Sequence, residues 1–253
     1  NYSNPKKDEF FEKLTYDLNG NISTLKRSKE YNITVSNVID DLSYTYSGNQ
    51  LLKIKDNQNN LEGYGSYDDV NSISYDDNGN MTSQFARKIS SIKYNILDLP
   101  TTASSTGKTG GTAIFKYLAD GTKVSKSYKS GTNPSIVTEY LDGFQYQNNM
   151  LQFVPTAEGY YDFTNNRYVY QYKDQVGNVR VSYYKDANNI AVIDKETNYY
   201  PLGLEHSYNP TTPANGRYKY TFQGQEKQEI GDWLSFKWRN YDPTIGRFFN
   251  VDP

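Results

Sequence analysis

The residues that first suggest chemistry are two acidic loops, Asp17-Leu18-Asn19-Gly20-Asn21 and Asp76-Asp77-Asn78-Gly79-Asn80. Such a run resembles the start of a calcium loop. The EF-hand pattern then needs glycine at its sixth position and glutamate at its twelfth. Those places hold Ile22 and Ser28 in the first loop, and Met81 and Arg87 in the second, so both loops read as hairpin turns. Gly107-Lys108-Thr109 resembles the end of a phosphate loop, but Thr102 stands where the earlier glycine is required and no strand-to-helix context follows. His206 is the sole histidine, and no nucleophile motif accompanies it. It reads as a surface or turn residue. Trp233 and Trp238 offer a sugar-stacking platform or, more simply, packing for the end of the chain. With no cysteine there is neither a disulfide framework nor a thiolate metal site. No motif asks for a cofactor or a metal. Asp242-Pro243 and Asp252-Pro253 are turn formers, because proline fixes φ and removes a donor.

The elements that must position these residues are legible from composition and repeats. The chain has 253 residues, of which 26 are Tyr, 11 Phe and 2 Trp, and its formal net charge is −2. Disordered chains are poor in aromatic residues and rich in net charge, so disorder is excluded. Tyrosine suits a pleated, half-buried surface. A near-neutral chain lacks the basic face of a nucleic-acid binder. No apolar run is long enough to span a membrane as a helix. The opening NYSNPKKDEFFEKL has no apolar signal core, so the chain reads as an internal piece of something longer.

Tyr16-Asp17-Leu18-Asn19-Gly20-Asn21 recurs as Tyr75-Asp76-Asp77-Asn78-Gly79-Asn80, with looser copies anchored on Tyr46, Tyr94, Tyr117 (followed by Asp120-Gly121) and Tyr140. Asn-Gly and Asp-Gly supply the positive φ that a tight hairpin turn needs. Alternating segments flank the turns, as in Leu42-Ser43-Tyr44-Thr45-Tyr46. One hairpin cannot bury its apolar face alone, but a row of hairpins can. The expectation is an all-β strip of antiparallel hairpins held by tyrosine ladders. Its low aliphatic content fits a thin wall, wet on both faces, better than a compact core. An ordinary antiparallel sandwich is the plainer alternative. Short helices are weakly suggested over residues 6–14 and 223–229, and Thr101 to Thr112 reads as a flexible Ser/Thr/Gly-rich loop or boundary.

The repeats resemble the YD (RHS) repeats of bacterial polymorphic toxins, of the C subunits of toxin complexes and of teneurins. The second half is more specific. Asp174-Gln175-Val176-Gly177-Asn178-Val179-Arg180 is similar to the family's D-x-x-G-N-x-R segment. Tyr199-Tyr200-Pro201-Leu202-Gly203 is similar to Y-x-P-[FY]-G, with Leu202 replacing the aromatic residue. Tyr220-Thr221-Phe222-Gln223-Gly224-Gln225-Glu226 matches Y-x-F-x-G-x-E. Arg239-Asn240-Tyr241-Asp242-Pro243-Thr244-Ile245-Gly246-Arg247-Phe248, running into Val251-Asp252-Pro253, resembles the signature of the RHS-repeat-associated core. The four stand in the family's order.

The resemblance implies a hairpin array over residues 1–160 and a core segment over 161–253. It implies a strip spiralling into a shell whose C-terminal segment curls inward as a plug. At this length a partial wall is expected. The implied function is containment and delivery of a C-terminal effector polypeptide of the same or a parent chain, secreted by or displayed on a bacterium. Secretion machinery and other shell chains are implied partners. An adhesive module that binds glycans or proteins is the alternative. Many relatives cut their own chain beyond the signature, which makes Asp242, Arg247 and Asp252 candidate catalytic residues, with Arg239 as a partner. Two carboxylates enclosed together can share a proton, and a nearby arginine holds one ionised. The plainer role for Arg247 is packing or an ion pair.

Overall fold

The computed structural model describes residues 9–32, 35–58, 60–65, 73–106, 110–206 and 218–252, without the side chains of residues 30–32, 35 and 36. Pro253 and Gly107-Lys108-Thr109 lie outside the described residues. Strands are short to medium, and each hairpin is closed by a turn that its own sequence specifies.

The first sheet contains β1 (Glu12–Tyr16), β2 (Ile22–Asn32), β3 (Val35–Ser47) and β4 (Gln50–Asp56), paired antiparallel in chain order. A small hairpin of β5 (Ser74–Tyr75) and β6 (Met81–Ser83) follows. Then comes a continuous eleven-stranded sheet, again antiparallel and in chain order. Its strands are β7 (Ile89–Tyr94), β8 (Pro100–Ser105), β9 (Gly111–Tyr117), β10 (Lys123–Ser130), β11 (Ile136–Leu141), β12 (Phe144–Gln147), β13 (Met150–Thr156), β14 (Gly159–Asp162), β15 (Arg167–Lys173), β16 (Val179–Lys185) and β17 (Ala191–Glu196). Residues 160 and 161 are consecutive within β14, so the sheet runs on between the two sequence segments. A pair β18 (Asn198–Tyr199) and β19 (Glu205–His206) leads to a last sheet of β20 (Glu226–Lys227), β21 (Leu234–Ser235), β22 (Asn240–Asp242) and β23 (Arg247–Phe248). The expected all-β strip of consecutive hairpins is what the molecule contains.

Three expectations are corrected. Residues 12–14 belong to β1, where Leu14 faces Leu25 across the ladder. Residues 223–229 hold a single 3-10 turn (Phe222–Gly224) and then β20, since Gln223 at φ 50° cannot continue a helix. The Thr101 to Thr112 stretch supplies most of β8 and the start of β9. Its Ala103 is the register partner of Ala113, just beyond the stretch, and both are buried, while Thr102, Ser104 and Thr112 flank them along the strands. A buried pair of small residues is hidden by a loop-like composition.

The wall is also not thin throughout. Leu25, Leu42, Ile54, Ile89 and Ile92 form one buried cluster with Trp233, Ile230, Ile245 and Phe249 from the C-terminal segment. The chain's few aliphatic residues are concentrated where the first sheet, the start of the strip and the last sheet meet. From β11 onward the strip is thinly covered. There a small cluster of Phe153, Tyr160 and Val169, with Tyr184 and Tyr218 against it, takes over.

Candidate functional site

One backbone turn recurs eight times among the described residues. In it, the first residue's N–H donates to the carbonyl four residues on, and the fourth residue's N–H donates back to the first carbonyl. It starts at Asp17, Asp76, Asn95, Leu118, Asp174, Asp186, Tyr200 and Thr221. The fourth residue always has positive φ, from 54° at Asp98 to 90° at Gly203. Repeat glycines Gly20, Gly79 and Gly121 and core glycines Gly177, Gly203 and Gly224 all occupy it. Asp98 and Asn189 fill it elsewhere, being residues that tolerate the left-handed region. The repeat motifs at Asp17, Asp76, Asn95 and Leu118 and three of the four core motifs, those at Asp174, Tyr200 and Thr221, are therefore the same loop despite their different sequences. Pro201 sits at its second position, where a fixed φ suits a turn.

The acidic first residue explains itself. Asp17 accepts the N–H groups of Asn19 and Asn21, both at 2.8 Å, and the Asn21 amide at 3.0 Å. Asp76 and Asp174 repeat this set with Asn78 and Asn80, and with Val176 and Asn178. Amide donors thus occupy these carboxylates as turn staples. The tyrosines answer across the repeat. Tyr46, Tyr75, Tyr94 and Tyr199 donate their hydroxyls to the carbonyls of Ile22, Leu51, Met81 and Val179, each just past an earlier turn. Burial pushes the Tyr75 phenol up to about 12. Tyr117 is half-buried against the main cluster, whereas Tyr16 is exposed.

The core motifs converge. Buried Asn178 accepts the Gln223 N–H at 2.8 Å, and the Val179 N–H donates to the Thr221 carbonyl. Arg180 reaches Asn198 at 2.7 Å and lies 5.7 Å over the Tyr199 ring. Tyr241 donates to the Leu202 carbonyl and packs on Phe236 and Phe248. Gly246 takes φ 67°, and a Cβ there would fall 2.5 Å from a Leu202 methyl.

The candidate cleavage residues take separate partners. Asp242 is buried; it accepts the Thr244 N–H at 2.9 Å and pairs with Arg87 at 3.6 Å. Arg247 is its register partner across β22 and β23, but the Arg247 guanidinium bonds the Tyr46 hydroxyl and the Asn49 carbonyl. Asp252, its side chain 63% exposed, pairs with Arg239, which lies 4.0 Å over Phe248. Asp242 and Asp252 are thus compensated apart, one inside and one at the surface. Trp233 is buried against Phe249, and Trp238 presses on Gly121. His206 stacks between Phe10 and Tyr200, and burial followed by Arg180 lowers its pKa.

Two charged clusters escape sequence reasoning, because their members are far apart in the chain. Arg27 is fully buried between Glu12 (2.6 Å) and Asp40 (3.0 Å), and donates to the carbonyls of Pro243 (2.9 Å) and Thr244 (2.7 Å). Glu12 also accepts the Leu202 N–H at 2.7 Å. Two core motifs are therefore tied to the first sheet. In the second cluster, Glu226 accepts from Lys123 (2.5 Å), Lys126 (2.7 Å) and the Tyr140 hydroxyl (2.7 Å). Glu229 links Lys126 to Lys219. Burial raises the Glu226 pKa, but the two lysines outweigh it and hold the carboxyl far below its usual range.

No family model matches the chain. Among curated proteins it is 25% identical over 235 residues to Salivary gland surface protein 1 of Aedes aegypti, covering 84% of this chain and 6% of that protein. Among solved structures, the crystal structure of TcdB2-TccC3-TEV is similar over 96% of this chain and 17% of that one, with a TM-score of 0.51 and 14% identity. A Photorhabdus luminescens Tc holotoxin pore gives a TM-score of 0.49 at 14% identity, with the same coverages. The chain spans only a small fraction of each of these proteins. What it shares with the first structure is the fold, a strip of consecutive antiparallel β-hairpins.

Proposed function

We propose that this chain is a wall segment of a secreted, bacterial RHS-type shell that contains and delivers an effector polypeptide belonging to the same or a parent chain. The observation that carries the reading is the strip itself, eleven antiparallel strands in chain order with a C-terminal segment packed back across the start of the molecule. The shared fold with a toxin-complex structure supports it. In this reading residues 1–160 are the hairpin array and residues 161–253 the plug-forming core. Other shell chains and secretion machinery are its partners, and it turns over no substrate. Proteinase digestion of the parent polypeptide tests it. The effector should resist digestion while the shell is folded and be lost once it is opened by denaturant. Digestion at the rate of the isolated effector would remove the containment reading.

Self-cleavage assigned to Asp242, Arg247 and Asp252 belongs to the same proposal. It predicts that the parent polypeptide runs as two pieces and that Asp242→Asn or Asp252→Asn leaves it whole. An uncut wild type would leave these residues as holders of the plug. A second reading, surface adhesion, is favoured by one observation. Tyr168, Tyr172, Phe163 and Ile193 are exposed, Tyr161 and Tyr168 are in ring contact, and Tyr170 stacks on Tyr183. Binding to a glycan array, lost on Tyr168→Ala, would establish it.

A further inference from the structure

At the junction of β10, β11 and the last sheet lies a cavity of about 480 Å³, within the range of small-molecule sites. Its walls include the rings of Tyr117, Tyr140, Tyr220 and Phe236, and its polar floor is Lys123 beside Glu226. The two floor groups are unequally satisfied. Glu226 already accepts two ammonium groups and a phenol, so little acceptor capacity is left for a cationic visitor. Lys123 carries three donors. It bonds Glu226 and lies 5.0 Å from the Tyr140 ring, and its side chain is 18% exposed. The charged lining of the cavity is Lys123 and Lys237 against Glu226 and Asp142, and of the bonded floor pair Lys123 is the member with donors to spare. A further acceptor on those donors satisfies the buried ammonium more fully. Burial lowers the Lys123 pKa, and Lys126 adds to the lowering against the pull of Glu226.

We propose that this cavity binds a carboxylate carried on an apolar or aromatic body, the carboxylate accepting from Lys123 and the body lying between the tyrosine rings and Phe236. A charge-assisted bond sets the orientation, while ring burial supplies most of the affinity. The carboxylate has two possible sources, a free small acid or the C-terminal end of a peptide.

Isothermal titration calorimetry on the 253-residue chain tests this with 3-phenylpropionate, the isosteric 3-phenylpropanamide, and an acetylated tripeptide ending in phenylalanine as free acid and as amide. The expected result is that at least one acid binds tenfold or more tightly than its neutral counterpart. The small acid alone identifies a free ligand, and the peptide acid identifies a chain end; both outcomes support the site. Lys123→Met should abolish the preference while the chain still unfolds cooperatively. The acid-over-neutral comparison in the wild type stands without that variant, should it fail to fold. Equal binding of acid and neutral partner, no binding of either acid, or an unchanged preference in folded Lys123→Met overturns the proposal.

Discussion

Replacing Arg27 by methionine tests the closure of the molecule most directly. Arg27 is fully buried, and its side chain meets two buried carboxylates and two carbonyls from the Pro243-Thr244 turn. Burial penalises the guanidinium, and Glu12 and Asp40 more than compensate. Methionine conserves much of the volume but leaves both carboxylates inside without a counter-charge. Breaking a buried pair from one side costs about 3–5 kcal/mol. Asp40 retains the Tyr64 N–H at 2.6 Å and Glu12 the Leu202 N–H, which places the loss toward about 3 kcal/mol. At a urea m-value of about 3 kcal/mol/M the midpoint falls by roughly 1 M. Both tryptophans lie in the C-terminal segment, so fluorescence follows the plug while circular dichroism follows the strip. The two curves should shift together if Arg27 welds the parts. Adding Glu12→Gln and Asp40→Asn to Arg27→Met should recover part of the loss, because neutral groups are cheaper to bury. A loss below about 1 kcal/mol for Arg27→Met, against the 3–5 expected of a buried pair, would refute the reasoning.

The remaining predictions concern turns and titration. Gly20→Ala and Gly121→Ala meet the same left-handed backbone, but a Cβ at Gly20 enters open space while one at Gly121 falls 2.3 Å from the Trp238 ring. Thermal melts should show about 1–2 kcal/mol lost at Gly20 and a further 1–3 kcal/mol at Gly121; equal losses would mean that Trp238 yields freely. Tyr75→Phe should cost about 0.5–1.5 kcal/mol by urea titration, through its bond to the Leu51 carbonyl. Because the folded Tyr75 phenol is raised to about 12, its contribution is complete below pH 10 and is lost as pH rises from there toward 12; alkaline melts of the wild type should lose more stability over that window than those of Tyr75→Phe. Glu226 is held low in the folded state, so its contribution is present above its unfolded pKa of about 4.3 and fades as pH falls below it. Acid titration of Glu226→Gln should start from lower stability at pH 7 and decline less steeply below pH 4 than that of the wild type.

What was legible and what was not divides by distance along the chain. The turn at Asp76-Asp77-Asn78-Gly79-Asn80 was readable because its carboxylate, its amide donors and its positive-φ glycine are all within five residues. The turn at Asp186 to Ile190 was missed although its geometry is the same, because it lacks both the glycine that fills six of the turns and the tyrosine that stands directly before the glycine-free turn at Asn95. Thr101 to Thr112 misled because its one buried position among the described residues, Ala103, is a small residue that carries no hydrophobic signal among serines and threonines. The candidate cleavage set was named from its motif, and only the folded chain separates buried Asp242 with Arg87 from exposed Asp252 with Arg239.

By itself the sequence determined the class, the recurring turn and the order of strands. Each depends on local chemistry, φ preference and side-chain capping, and consecutive hairpins pair with little choice. Tertiary structure alone decided where the wall thickens, which carboxylates are compensated, and where a cavity opens. Arg27 meets Pro243 across 216 positions and Lys123 meets Glu226 across 103. No periodicity links residues so far apart. Their meeting follows from how the last sheet lies against the first, a packing that buries a limited stock of aliphatic side chains together, and with them the charges that must then be paired.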